Sequence, residues 1–288
     1  MSKADIDEVT GVATTGHEWD GIKELDNPLP RWWLYTFYAT ILFGLAYIVY
    51  YPAIPLIEGA TPGLSGQTNR GDLKVELAAV AEARAGIEQQ IATSDLAAIK
   101  ANPELLRYAT AGGASLYKVF CTQCHGSGAQ GAPGYPNLND DDWIWGGDLE
   151  AIHTTITHGV RNDVDEDTRF SQMPAFGDGI LSDAEINAVA NHVLSLSGKD
   201  HDAALAGKGT TVFSENCASC HGEDGKGMRD VGAPNLADAL WLYGGSLAAV
   251  TAQVKVPKHG VMPPWGEKLG DAKVKQLTLY IHSLGGGK

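Results

Sequence analysis

Cysteine is scarce, and none is spare. The 288 residues contain four, spent on Cys121-Thr122-Gln123-Cys124-His125 and Cys217-Ala218-Ser219-Cys220-His221. No pair is left for a disulfide, so cysteine count says nothing about compartment. Methionine is equally rare, four in all with Met1 the initiator. Basic residues are outnumbered 21 to 35, a formal net charge of −14. That argues against nucleic acid and against anionic lipid surfaces, and suits docking to basic partners; plain solubility would give the same balance. Charge of either sign is missing from Trp32 to Ile57. Within that stretch Trp32–Tyr51 is apolar, and ~20 residues rising ~1.5 Å each span a ~30 Å hydrocarbon core. Trp32, Trp33 and Tyr35 stand at one end and Tyr47, Tyr50 and Tyr51 at the other, as interfacial belts do, and Pro52 and Pro55 end the helix. An acidic leader in place of a short basic one excludes a cleaved signal peptide. The segment reads as one retained membrane anchor.

What the four cysteines build is specific. C-x-x-C-H is the attachment site of c-type haem: two thiols add to the vinyl groups and the adjacent His becomes an axial ligand. A zinc site would require both C-x-x-C pairs to converge on one ion and would leave each His unexplained. A redox C-x-x-C has no need of the His. Two copies with nothing left over predict two covalently attached haem c groups. Covalent attachment in bacteria takes place on the periplasmic side of the inner membrane, which puts both motifs there and the N-terminus in the cytoplasm. Charge does not orient the span, since Lys23 and Arg31 before it are matched by Arg70 and Lys74 after it.

In chain order, residues 1–30 form a polar leader without periodicity and 31–57 the transmembrane anchor. Residues 58–104 form a linker with an amphipathic helix, in which Leu73, Leu77, Val80, Ile87 and Ile91 recur at helical spacing around Arg84. Asn102-Pro103-Glu104 reads as an N-cap with Pro in the first turn. The sequence then repeats. Gly113 and Tyr117 correspond to Gly209 and Phe213, Pro136-Asn137-Leu138 to Pro234-Asn235-Leu236, and Trp143 and Gly146-Gly147 to Trp241 and Gly244-Gly245. His158-Gly159 corresponds to His259-Gly260, Met173-Pro174 to Met262-Pro263, and Ser195–Gly198 to Ser283–Gly286. The first copy carries an acidic insertion within 161–172. The expected fold is mainly α, one N-terminal transmembrane helix followed by two class I cytochrome c domains, 105–200 and 201–288.

Each repeat unit resembles a small class I cytochrome c. The resemblance implies that Gly113 and Gly209 let a first helix cross a last helix closely, with Tyr117 and Phe213 packed there. It implies that the Pro136 and Pro234 carbonyls accept the Nδ1 protons of His125 and His221. Trp143 and Trp241 would donate indole N–H groups to haem propionates, or serve as core. For the sixth ligand, Met173 and Met262 stand before Pro at matched places, and thioether sulfur favours ferrous iron. Each is expected to serve the haem of its own unit, Met173 with His125 and Met262 with His221. His158 and His259 are the rival ligands. Met228, in a Gly-rich loop, and His153, His192, His201 and His282 are expected to be ordinary.

The stretches His17–Trp33 and Arg169–Phe176 go further. With the anchor and two haem units they resemble the di-haem subunit of cbb₃-type cytochrome c oxidases (the FixP/CcoP family). That resemblance implies an electron-transfer subunit of a terminal oxidase. It would take electrons from a cytochrome c fed by the bc₁ complex and pass them to a mono-haem c subunit and the haem–copper subunit. No copper or O₂ ligand set is visible on this chain. A free-standing membrane-anchored carrier would not need the Trp19–Pro30 leader, and a di-haem peroxidase would need one five-coordinate haem. Asp140, Asp141 and Asp142, with Asp163, Asp165, Glu166 and Asp167 of the insertion, are expected to attract a basic donor, to contact a partner subunit, or to be solvated loop.

Overall fold

A computed structural model describes residues 5–285; Gly286, the end of the repeat match, lies outside them. The chain divides into residues 1–83 and 84–288. In the first unit the leader is not unstructured. Strands β1 (Thr14–Trp19) and β2 (Ile22–Leu25) pair antiparallel, with Trp19 opposite Ile22. The turn between them is Asp20-Gly21, at φ +49° and +84°. Two successive positive φ values make the tight hairpin turn for which Asp-Gly is the preferred dipeptide. That signal was present in the sequence and outweighed the lack of periodicity.

Helix α1 (Arg31–Tyr50) is long and apolar enough to cross a membrane, and none of its side chains is buried. Its C-terminal carbonyls are not left open: Leu64 N–H donates to Val49 (3.1 Å) and Ser65 N–H to Tyr50 (2.9 Å). Gly63, at φ +66°, makes this return possible, because a Cβ there would strike the Tyr50 and Tyr51 backbone. The short strands β3 (Pro55–Leu56) and β4 (Gly59–Ala60) pair between them. Helix α2 (Asn69–Thr93) begins before the expected Leu73. Leu73, Leu77 and Val80 on it are exposed.

The second unit contains α3 (Leu96–Ala101), α4 (Pro103–Phe120), α5 (Thr122–His125), α6 (Leu149–His158), α7 (Asp183–Leu196), α8 (Ala203–Asn216), α9 (Ala218–His221), α10 (Leu247–Lys255), α11 (Gly266–Leu269) and α12 (Asp271–His282). Asn102 caps α4 as expected, its Oδ1 accepting from Glu104 N–H (3.0 Å) and Leu105 N–H (3.3 Å). Ile87 and Ile91 at the end of α2 join Leu96, Ile99, Leu105, Ala109, Leu149 and Leu279 in one apolar cluster.

The repeats do not fold as two successive domains split near residue 200. Helix α4 packs on α12, and α7 packs on α8. One core joins Tyr117, Ile152 and Ile156 to Leu269, Val274, Leu277 and Ile281, so it is built from both ends of the repeat region. The other joins Phe176, Ile186, Val189, Val193 and Leu194 to Phe213, Cys217, Val250 and Val254, all from its middle. The second core is nested inside the first. Both expected glycine crossings form, each against the last helix of the other repeat. A Cβ on Gly113 would strike the Gln276 carbonyl and the Tyr280 side chain of α12; one on Gly209 would strike the Ala188 carbonyl and His192 of α7. Tyr117 likewise lies 5.5 Å from Tyr280, and Phe213 5.1 Å from His192, between ring centroids. The two glycine sites are equivalent in sequence, and the link 197–202 between α7 and α8 is short. A short tether closes at lower entropic cost than a long one, which favours α7 pairing with α8.

Candidate haem sites

Each C-x-x-C-H lies across a helix end. In the first, Cys121 closes α4 and the single turn of α5 presents Cys124 and His125. Gly126 (φ +81°) turns the chain, Gly131 N–H donates back to the His125 carbonyl (2.9 Å), and Leu138 N–H donates to Ala129 (2.8 Å). This loop brings the Pro136 carbonyl 2.9 Å from His125 Nδ1. The second copy repeats it: Gly227 N–H to His221 (2.7 Å), Leu236 N–H to Gly225 (2.7 Å), and the Pro234 carbonyl 3.0 Å from His221 Nδ1. A carbonyl only accepts, so Nδ1 carries the proton and Nε2 is left with its lone pair outward, as a metal ligand requires. Burial lowers the pKa of both rings and so favours their neutral form, against the Pro136 and Pro234 carbonyls.

Burial pushes the Cys121 and Cys217 thiols up to about 11, the opposite of the low-pKa thiolate of a redox C-x-x-C. Cys121 and Cys217 belong to different cores, so the two pairs do not converge on one ion. Among the described residues, the only side-chain cluster with metal-ligand spacing is His158, Asp165 and Asp167, without a cysteine.

The methionines complete these pockets in an unexpected combination. Met262 packs with Cys121, Leu138, Trp143 and Trp265 against the core that holds Tyr117. Met173 packs with Leu236 and Trp241 against the core that holds Phe213 and Cys217. The expected pairing of Met173 with His125 and of Met262 with His221 is therefore reversed. The nesting is the cause, since each Met loop precedes the closing helix of its own repeat and travels with it. His158 is instead held by Asp165, its Nδ1 3.0 Å from the carboxylate, and His259 faces the Met173 backbone. Met228 is exposed and pairs through its backbone with Ala233.

Among the described residues, four buried side-chain donors have no partner within the protein: Thr14 Oγ1 in the leader, and Trp143 Nε1, Trp241 Nε1 and Arg169 Nε in the second unit. Such groups are rare and costly in native interiors. Arg169 is otherwise engaged, its Nη2 donating to the Ala151 carbonyl (3.2 Å) and its guanidinium 5.4 Å over Trp145. A planar group bearing carboxylates at its edge, as a haem does, fits a neutral imidazole, a thioether, two thiols and orphan N–H donors in one pocket. Asp141, Asp142 and Asp238 line an open cleft of about 620 Å³ together with Lys226 and Arg229, and Asp140 adds its charge beside Asp142. Burial, with Asp238 and Asp140 adding to it, pushes the Asp142 carboxyl up to about 6.

Comparison with known proteins agrees with this chemistry. Residues 11–58 match the N-terminal domain of cytochrome oxidase-cbb3, FixP. Residues 109–193 and 204–281 match cytochrome c oxidase, cbb3-type, subunit III. The chain belongs to the FixP/CcoP family. A cbb3-type cytochrome c oxidase subunit CcoP from Cereibacter sphaeroides is 57% identical, covering 96% of this chain and 95% of its own. Subunits FixP from Sinorhizobium medicae and Rhizobium etli are 55% and 52% identical, over 98% and 100% of both chains respectively. As a FixP/CcoP protein it is a membrane-anchored electron-transfer subunit of a terminal oxidase and a haem c protein.

Arg161, Arg169 and Asp142 had no signal as site residues in the repeat: the two arginines lie in the insertion, and Asp142 is matched by Leu240. Arg169 stands in the stretch that carried the family resemblance. The other two meet their partners only through the nested packing.

Proposed function

We propose that this FixP/CcoP chain binds two haem c groups covalently. Cys121, Cys124, His125 and Met262 would hold one, and Cys217, Cys220, His221 and Met173 would hold the other. Bound, each group supplies a one-electron couple whose potential a His/Met pair sets higher than two His would. The protein's part is to hold the ligands, exclude water and present donors. Pro136 and Pro234 fix the imidazoles. Trp143, Trp241 and Arg169 donate to propionates, which supplies their missing partners. The observation that carries the reading is one Met and one Pro-oriented His in each of two separate cores.

A His and a Met on each iron would leave no position for O₂, so the chain would relay electrons to another subunit. We place its haem domains in the periplasm of a bacterial inner membrane, with the leader 1–30 in the cytoplasm, by the chemistry of haem attachment. A cytochrome c fed by a bc₁ complex is the donor, and a mono-haem c subunit and a haem–copper subunit are its partners.

Replacing Met262 by His tests the ligand sets. It should lower the potential of the haem on Cys121 and Cys124, abolish that haem's thioether-to-iron absorption, and leave the haem on Cys217 and Cys220 unchanged. Met173→His should do the reverse. Redox titration with the absorption of single-haem variants lacking one cysteine pair identifies which haem responds; a response of the haem in the same repeat would refute the crossed pairing.

A further inference from the structure

Arg161 follows His158-Gly159-Val160 at the start of the acidic insertion, and its backbone is tightly held. Val160 N–H donates to the Met262 carbonyl (2.9 Å) and Met262 N–H to the Val160 carbonyl (3.0 Å). Arg161 N–H donates to Arg169 (2.8 Å), and Arg169 N–H to Gly159 (3.2 Å). Gly159, at φ +71°, leaves no room for a Cβ against the Met262 carbonyl. Arg161 itself sits at φ +51°, a conformation few non-glycine residues adopt. Held this way, its half-buried side chain reaches in two directions. Nε donates to the Gly260 carbonyl (2.7 Å), two residues before Met262. Nη1 donates to the Ser171 carbonyl (3.1 Å), two residues before Met173. His259, next to Gly260, faces the Met173 backbone as well.

We propose that Arg161 is a positioning residue shared by both methionine loops, which ties the sixth-ligand geometry of one haem to that of the other. The inference rests on Met173 and Met262 being axial ligands. The chemistry explains why the residue is Arg: a planar guanidinium offers several donors in a rigid fork, so one side chain satisfies two carbonyls in separate chain segments. A Lys ammonium in the same place keeps the charge but is a compact point donor on a flexible stem. Each hydrogen bond from a charged group to a half-buried carbonyl is worth enough to move a ligand-exchange equilibrium about tenfold.

The test uses the haem-loaded, full-length protein with Arg161→Lys and Arg161→Gln. The readouts are the ferric thioether-to-iron absorption, its loss as pH is raised, and the two reduction potentials, with Met173→His and Met262→His marking each haem's contribution. The expected result is that Arg161→Lys shifts the pH of Met displacement down by about one unit, tenfold in proton concentration, at both haems. Arg161→Gln should do the same or more and lower both potentials. Arg161→Lys indistinguishable from wild type beside a perturbed Arg161→Gln would overturn the clamp in favour of a field effect. A change confined to one haem would overturn the sharing. If Arg161→Gln does not fold, Arg161→Lys alone decides between these. A wild-type protein lacking the thioether band at one haem would instead refute the ligand reading, and the clamp with it.

Discussion

At the scale of single residues, the haem pockets are built from groups that local chemistry leaves one choice. The Pro136 carbonyl cannot donate, so it selects the His125 tautomer; the same holds for Pro234 and His221. Asp142 is a different case, because its environment opposes its charge. Burial is the largest influence, the charges of Asp238 and Asp140 add to it, and Arg229 opposes them. A carboxyl raised from the usual 3.8 to about 6 is protonated in the folded protein where the unfolded chain is ionised. The folded state therefore binds more protons between those values, and stability falls as pH rises through roughly 4 to 6. Asp142→Asn should raise the melting temperature at pH 7.5 and leave it unchanged at pH 4. The gain should be on the order of 1 kcal/mol, after allowance for water in the cleft. Thermal unfolding of haem-loaded wild type and variant at the two pH values measures it.

Among the elements, the insertion 161–172 has two faces. On its inner side Arg161 donates to the carbonyls of Gly260 and Ser171 in the two methionine loops, and Arg169 reaches the Ala151 carbonyl and the Trp145 ring. Asp163, Glu166 and Asp167 are exposed, while Asp165 is tied to His158. If the exposed carboxylates guide a basic cytochrome c donor, neutralising Asp163, Glu166 and Asp167 to Asn and Gln should slow the second-order electron-transfer rate severalfold at low salt. The salt dependence should flatten, with haem content and potentials unchanged. Stopped-flow kinetics across ionic strength reads this directly; an unaltered low-salt rate would leave the face to a partner subunit or to water. Asp165 is best left in place, because removing it would also free His158.

For the whole molecule, the nested arrangement has a consequence for folding. All buried members of one core lie between residues 173 and 254, whereas the other needs residues from both sides of that segment. A fragment of residues 173–255, exported with the haem-attachment machinery, should acquire one haem with a thioether-to-iron band. A fragment of residues 105–200, the domain suggested by the repeat, should lack that band because Met262 and α12 are missing. Purification of the two fragments and their visible spectra decide the matter, and the opposite result would restore the sequential domains.

Much of this protein was determined by short-range pattern. Helix α1 follows from an uncharged run long enough to span a bilayer. The two C-x-x-C-H turns follow from local spacing, and the Pro136 and Pro234 acceptors, which the resemblance to cytochrome c implied, each meet their His through one loop. The Asp20-Gly21 hairpin was equally local, though periodicity alone concealed it. What only the tertiary structure decided is which methionine faces which histidine. The repeat makes Gly113 and Gly209 chemically interchangeable crossing points, and α7 and α12 interchangeable partners, so local pattern leaves the pairing degenerate. The degeneracy is broken by the short link from α7 to α8 and by the backbone pairing of Val160 with Met262. Arg161 then lies between two loops that the sequence keeps far apart.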